Sequence, residues 1–99
     1  MEQINNTIFT DPPPPPSILS EAEEICNGPR NKDYGHPFDD YTKVARLWSV
    51  VLGIDVTPSQ AALCMIQVKV SRQMHRPKRD NLVDIAGYAH VVDKIMERE

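Results

Sequence analysis

Proline and glycine divide this chain into stretches of helical periodicity, and that division restricts the possible folds more than any other feature. Within each stretch apolar residues recur every three or four positions, as they do in helices that bury one face. The periodic stretches cover residues 17–26, 38–52, 58–76 and 79–96. Gly28-Pro29, Gly53 and Pro77 separate them, because proline lacks an N–H group and glycine favours helix ends. The pattern predicts an all-α fold, a compact four-helix bundle.

Several single residues add detail to this bundle. Ser17 can cap the first helix, and Thr57 followed by Pro58 combines a capping hydroxyl with a proline at the first helical position. The third helix is apolar nearly all round over residues 61–70, so we expect it to be the central and most buried helix. Gly87 in the last helix indicates a close contact with a neighbouring helix.

Length and composition narrow the class of protein. A domain of 99 residues buries only about two-thirds of its unfolded surface, so we expect a homo-oligomer. The net charge of −3 argues against a general nucleic-acid binder, which would be basic. Cys26 and Cys64 have apolar neighbours and no metal-ligand spacing, which indicates free core thiols in a reducing compartment. No signal peptide or membrane-length apolar run is present, so we expect a soluble cytoplasmic protein without a membrane partner.

The first 16 residues differ from the rest and are predicted to form a proline-rich flexible tail or arm. The helical domain is then residues 17–99. Five consecutive prolines at 12–16 favour an extended polyproline II segment. Three roles fit such a segment: a spacer, a recognition motif, or an arm that lies on a neighbouring subunit.

The last helix changes from apolar to polar along one face. Asn81, Asp84 and Tyr88 fall within the arc that holds Ile95 further along the helix. Capping of the helix start accounts for Asp80 but less well for Asp84, which lies a full turn inside. We prefer a polar pocket at the end of the core as the explanation, because buried polar groups need partners.

The third helix shows the same change from apolar to charged. Lys69, Arg72 and Arg76 continue a stripe that begins at Ala62. A lysine so close to a core requires an anion, because an unpaired buried charge is costly. Asp84 would supply that anion in a structural ion pair, and a ligand phosphate would do so equally well.

Residues 28–37 have the composition of a loop, with two glycines and two prolines. This segment carries Arg30, Lys32, Tyr34 and His36. Cationic side chains bind phosphates, and an aromatic ring can stack on a base or a sugar. In the alternative interpretation, Tyr34 and His36 only close the loop onto the core.

Two motifs of the chain resemble those of a known family. Residues 33–37 read Asp-Tyr-Gly-His-Pro, and residues 77–89 read Pro-Lys-Arg-Asp-Asn-Leu-Val-Asp-Ile-Ala-Gly-Tyr-Ala. Together they resemble a family of small, uncharacterised proteins of bacteriophages and prophages, over about residues 18–95. This resemblance by itself implies no activity.

More distantly, the chain is similar to the MazG-type all-helical nucleoside triphosphate pyrophosphatases. Those enzymes bind magnesium through a Glu-Glu-x-x-Glu stretch on one helix and a Glu-x-x-Asp stretch on another, and they use an activated water. The resemblance implies Glu21, Glu24 and Asp84 as magnesium ligands. Ser20 and Asn81 stand at two of the carboxylate positions of that pattern. A solvated acidic helix face is the simpler interpretation of Glu21 and Glu24.

The functional hypothesis is a cationic pocket between the third and last helices, closed by residues 30–36, that binds a phosphorylated nucleotide-derived ligand. By analogy with small phage proteins that sequester host nucleotide immune signals, we predict binding without cleavage, with no catalytic residue and no cofactor. The predicted ligand-binding residues are Arg30, Lys32, Tyr34, His36, Lys69, Arg72, Arg76, Asn81, Asp84 and Tyr88. One alternative is a MazG-like, magnesium-dependent pyrophosphatase. Another is a protein-interaction module that uses the basic segment and the proline arm on a host protein.

Overall fold

The computed structural model describes residues 11–99, apart from the side chains of residues 30 and 31. Most of the predicted tail, residues 1–10, and the predicted phosphate contact of the Arg30 side chain therefore lie outside the described residues. Residues 11–16 are exposed and have no regular secondary structure.

All the regular secondary structure of the described chain is helical and none of it is strand, which confirms the predicted all-α fold. The helices are α1 (Ile18–Asn27), α2 (Pro29–Tyr34), α3 (Pro37–Leu52), α4 (Pro58–His75) and α5 (Arg79–Met96). Four of them match the predicted stretches to within one or two residues. The short helix α2 was not predicted, because its segment has a loop composition. Pro29 suits the first position of a helix, and Gly35, with φ of 75°, follows its end.

The predicted helix starts are confirmed in detail. The Ser17 hydroxyl accepts a hydrogen bond from the Ser20 N–H at 3.0 Å and so caps α1. At the start of α4, Thr57 and Gln60 form a reciprocal capping box, each side chain accepting from the other's backbone N–H. Gly53 ends α3 in the left-handed region, with φ of 71°, where glycine has no steric penalty.

Helix α5, rather than α4, is the centre of the bundle. It packs against α1, α3 and α4, whereas α4 packs only against α3 and α5 among the described helices. The prediction that the third helix is most buried was therefore wrong. Ala61 and Ala62 of α4 are buried, but Leu63 is 48% exposed, and Cys64 is exposed instead of being a core thiol. An all-round apolar helix at the edge of a single chain leaves its outer face without a neighbour.

The core is small for a chain of this length. The buried residues are Ala22, Ala45, Ala61, Ala62, Val83 and Ile95. Most of them are alanines, so the helices approach closely but bury little apolar side-chain volume. Ile95 is the largest fully buried side chain in the described part of the chain, and it lies near the end of α5.

Apolar side chains remain exposed along one face of α3. Leu47, Val50 and Val51 are separated by three and four residues, so they share one side of the helix, and both valines are 82% exposed. We call these three residues the α3 stripe. Apolar surface of this kind marks interaction sites when it is contiguous.

None of the helices between residues 11 and 99 combines the length and the apolar character needed to cross a membrane.

Candidate functional site

A cleft of about 270 Å³ opens between α1, the turn that joins α2 to α3, and α5. One helical face of α5 forms its floor, and this face includes Asp84, Gly87, Val91 and Lys94. Their spacing of three or four residues keeps them on one side of the helix. From Asp84 to Lys94 the floor extends about 15 Å, at 1.5 Å per residue.

The middle of the floor is formed by a glycine, Gly87, which has no side chain. The Cys26 thiol of α1 donates to the Gly87 carbonyl at 3.5 Å, so α1 and α5 do approach closely at this glycine. A Cβ at Gly87 would nevertheless lie 3.7 Å from the Cys26 Sγ, with no other neighbour within 4 Å, which is ordinary van der Waals contact. Packing therefore does not require glycine here. Glycine inside a helix costs about 0.5–1 kcal/mol relative to alanine, and its effect is to leave the cleft floor open.

The opposite wall carries aromatic rings from the end of α2 to the start of α3. Tyr34, His36 and Tyr41 line it, and Tyr88 lines the cleft from α5. His36 is also the N-cap of α3, because its Nδ1 accepts a hydrogen bond from the Phe38 N–H at 3.0 Å. Because Nδ1 is occupied as an acceptor, the other ring nitrogen of His36, Nε2, is the one that can donate a hydrogen bond.

Two ion pairs lie at the two ends of the floor. The Lys69 Nζ is 3.0 Å from the Asp84 Oδ2, and the Lys69 side chain is only 16% exposed. This is the structural ion pair that the sequence left as one of two possibilities. At the other end, the Lys94 Nζ lies 3.4 Å from the Glu97 Oε1 in a more exposed pair. Asp40 also lines the cleft, and no ion pair to it occurs within the described residues.

The structure brings together only part of the predicted site. Tyr34, His36, Asp84 and Tyr88 line the cleft, and Lys69 adjoins it through Asp84. The remaining predicted residues with described side chains do not line it: Lys32, Arg72, Arg76 and Asn81.

Asn81 makes hydrogen bonds that connect two helices. Its Nδ2 donates to the Gln73 Oε1 at 3.0 Å and to the Arg76 carbonyl at 3.4 Å, which joins the end of α4 to the start of α5. Arg72 and Arg76 are exposed. The cleft lies between α1, the turn that joins α2 to α3, and α5, rather than between α4 and α5, where the hypothesis had placed it.

Sequence reasoning missed several residues of the cleft: Cys26, Asn27, Asp40, His90, Lys94 and Glu97. The signal for Lys94 was available, because it continues the helical face of Asp84 and Gly87 for two further turns. The contribution of α1 had no comparable signal, since its apolar face was equally suited to several neighbours.

The acidic residues of α1 are arranged differently from the magnesium pattern. Glu21 forms an ion pair with the Arg79 guanidinium, which also donates to the Pro16 carbonyl at 2.6 Å, and Glu24 is exposed. Among the side chains described for residues 11–99, no group of three or more histidine, cysteine, aspartate or glutamate residues is placed to hold a metal ion.

The fold and the cleft define a small all-helical protein with a ligand-sized cleft on its central helix. The chain belongs to the family described as Domain of unknown function (DUF6378), whose model matches residues 17–96. It is 43% identical over 81 residues to the Gene 55 protein of Mycobacterium phage L5, covering 80% of this chain and 52% of that protein. It is also 39% identical over 82 residues to the Gene 55 protein of Mycobacterium phage D29, covering 82% and 54% respectively.

These comparisons confirm the resemblance to small phage proteins. The chain spans about half the length of the two phage proteins that it matches. No solved structure matches it significantly.

Proposed function

We propose that this protein binds a phosphorylated nucleotide-derived small molecule in the cleft and sequesters it without cleaving it. The ligand would be a host nucleotide immune signal, held in the host cytoplasm during infection. One observation carries the proposal: the floor of an aromatic-lined cleft is opened by a glycine that packing does not require. A helix that only had to pack would gain stability from alanine at that position.

The rings of the cleft suit the base and the sugar of a nucleotide. Tyr88 on α5 and Tyr34 at the end of α2 border the same space, and stacking of a base on an aromatic ring contributes about 1–3 kcal/mol. The Nε2–H of His36 supplies a hydrogen-bond donor. The Asp84 carboxylate retains acceptor capacity beyond its pair with Lys69, which suits ribose hydroxyl groups or an exocyclic amino group.

The size of the cleft also bears on the ligand. At about 270 Å³ it lies just below the range of roughly 300–1,000 Å³ that is typical of small-molecule sites. A single nucleotide unit is the appropriate scale for a cleft of this size.

A thermal-shift screen tests the proposal. The purified protein is incubated with nucleotides, cyclic nucleotides and ADP-ribose derivatives, with and without magnesium, and any hit is recovered after denaturation and analysed by chromatography. A ligand at a hundred times its dissociation constant should stabilise the fold by about 2.7 kcal/mol, or several degrees in a small domain. Recovery of the intact ligand is the expected result.

We expect Tyr88→Ala to weaken binding of the hit by about tenfold or more, because stacking is lost. Tyr88→Phe is the matched control, since it keeps the ring and should bind within a few-fold of the unmodified protein. Equal affinity for the alanine variant would show that the ligand does not lie against α5.

The MazG-like alternative has one structural argument in its favour. Helix α1, which carries Glu21 and Glu24, packs directly against α5, which carries Asp84. If a nucleoside triphosphate is returned cleaved, and only when magnesium is present, the pyrophosphatase replaces the proposal.

If no compound shifts the melting temperature, the protein-interaction module becomes the leading hypothesis, because the prolines at 12–16 are exposed and the Arg79 guanidinium donates a hydrogen bond to the carbonyl of the last of them.

We also propose that the protein associates with a second copy of itself through the α3 stripe. The argument is the small core, since a chain that buries mostly alanines has little hydrophobic stabilisation of its own. Sedimentation of the unmodified protein should give a mass above that of one chain. The Val51→Glu variant should sediment with the mass of one chain. Leu19→Glu is the control, because Leu19 is similarly exposed, at 74%, but lies on α1. If Val51→Glu leaves the mass unchanged, the α3 stripe is not the contact.

A further inference from the structure

We propose that the cleft accepts a ligand with at most two negative phosphate charges, such as a nucleoside 5′-monophosphate, and rejects longer phosphate chains when no divalent cation is present. This inference rests on the proposed function and specifies the charge of its ligand. It follows from the charged groups that the structure places in and against the cleft, which differ from the cationic set expected from the sequence.

Carboxylates outnumber cations among the described residues that line this cleft. Asp40, Asp84 and Glu97 line it, while Lys94 is the one lysine or arginine among its described lining residues. Lys69 adds a second ammonium group from behind Asp84. Leaving the histidines aside, three carboxylates face two ammonium groups among the described side chains, which is an excess of one negative charge. An anion that enters must overcome this excess, because carboxylates that line the same cleft repel it.

The two lysines differ in their availability to a phosphate. Lys94 and Glu97 have side chains that are 38% and 53% exposed, and a pair so accessible to water contributes little to stability. Exchange of Glu97 for a phosphate therefore costs little. Lys69 is 16% exposed, and its removal from Asp84 would leave a half-buried carboxylate without its partner. Among the side chains that the structure describes, the cleft thus offers one readily available cation.

A phosphate monoester carries about −1.5 to −2 charges at neutral pH, and the Lys94 ammonium group offsets one of them. Lys94 lies seven residues beyond Gly87, or about 10 Å along the helix axis, so a nucleoside fits between the open floor and the ammonium group. Each further phosphate adds about one negative charge, and the described lining residues supply no further cation for it. It also increases the repulsion from Asp40, whose carboxylate has no ion-pair partner among the described residues.

The test is a calorimetric titration of the full chain with the 5′-mono-, di- and triphosphates of the four ribonucleosides, in a buffer with EDTA. The expected order of affinity for a given base is monophosphate, then diphosphate, then triphosphate, with the triphosphate at least tenfold weaker than the monophosphate. The Asp40→Asn variant should reduce the ratio of monophosphate affinity to triphosphate affinity by about tenfold. One carboxylate is expected to repel two additional phosphate charges by this amount at about 10 Å and an effective dielectric constant near 50.

Asp39→Asn is the matched control. Asp39 precedes Asp40 in the first turn of α3, so both variants lose the same charge and the same favourable interaction with the helix dipole. Asp39 does not line the cleft, however, and is 67% exposed in a loose pair with Arg98. The Asp39→Asn variant should therefore leave the ratio of monophosphate affinity to triphosphate affinity unchanged.

The outcomes separate the inference from the proposed function. A triphosphate that binds most tightly in EDTA, or an Asp39→Asn variant that narrows the gap as much as Asp40→Asn, would overturn the charge limit while leaving nucleotide binding intact. Failure of every compound to bind would remove the proposed function and the charge limit together. Tight triphosphate binding with cleavage, seen only after magnesium is added, would replace both with the pyrophosphatase.

Discussion

Replacement of Ile95 by alanine should lower the free energy of unfolding by about 3 kcal/mol. Ile95 is 0% exposed and is the largest fully buried side chain of the described structure, and removal of such a side chain typically costs 2–5 kcal/mol. The loss is a large fraction of the total, because a domain of 99 residues has a stability of roughly 5–15 kcal/mol. Urea unfolding followed by circular dichroism measures it as a midpoint lowered by about 1–2 M at an unchanged slope.

The neighbouring residue supplies the control for Ile95. Met96 belongs to the same turn of α5 but is 63% exposed, so Met96→Ala should change the stability by about 0.5 kcal/mol or less. Both variants must be measured at one protein concentration, since self-association would add a concentration-dependent term. If Ile95→Ala costs less than 1 kcal/mol, the apolar contacts around the end of α5 do not form the centre of the core.

Local sequence signals predicted the helices well, because they act over a few residues. The capping residues Ser17 and Thr57, and the left-handed Gly53, determine helix ends through contacts within one turn. The packing partners of each helix were harder to predict. The apolar composition of α4 indicated a central position, yet composition does not specify whether an apolar face meets another helix of the same chain or remains exposed.

The candidate site was predicted only in part, because it too depends on which helices pack together. The change from apolar to polar residues along α5 correctly marked Asp84 and Tyr88 as neighbours of a cleft, and it left the Lys69–Asp84 ion pair as an explicit possibility. The basic residues Arg72 and Arg76 were assigned to the same pocket because charge alone suggested phosphate binding. Their place in the fold depends on where α4 ends, and the helix leaves them exposed and away from the cleft.

Substitution of Gly87 is expected to have the largest effect on ligand binding. Its effects on stability and on affinity are expected to be opposite. Gly87→Ala should raise the free energy of unfolding by about 0.5–1 kcal/mol, because alanine restricts the unfolded chain and favours the helix. The new Cβ would meet only the Cys26 Sγ, at 3.7 Å, so no strain offsets this gain. The methyl group would narrow the cleft floor, and affinity for the hit of the nucleotide screen should fall by about tenfold, the equivalent of 1.4 kcal/mol.

A larger side chain at the same position extends the test. Gly87→Leu should abolish measurable binding, a loss of about a hundredfold or more, because overpacking costs about 1–3 kcal/mol and the side chain occupies the ligand's space. Ala89→Leu is the control, since Ala89 is exposed on the same helix and does not line the cleft. A merely structural glycine would lose stability when replaced by alanine. If the glycine instead keeps a site open, its replacement by alanine raises the stability and weakens ligand binding. The melting temperature and the binding titration of Gly87→Ala, measured on one sample, therefore distinguish these two roles.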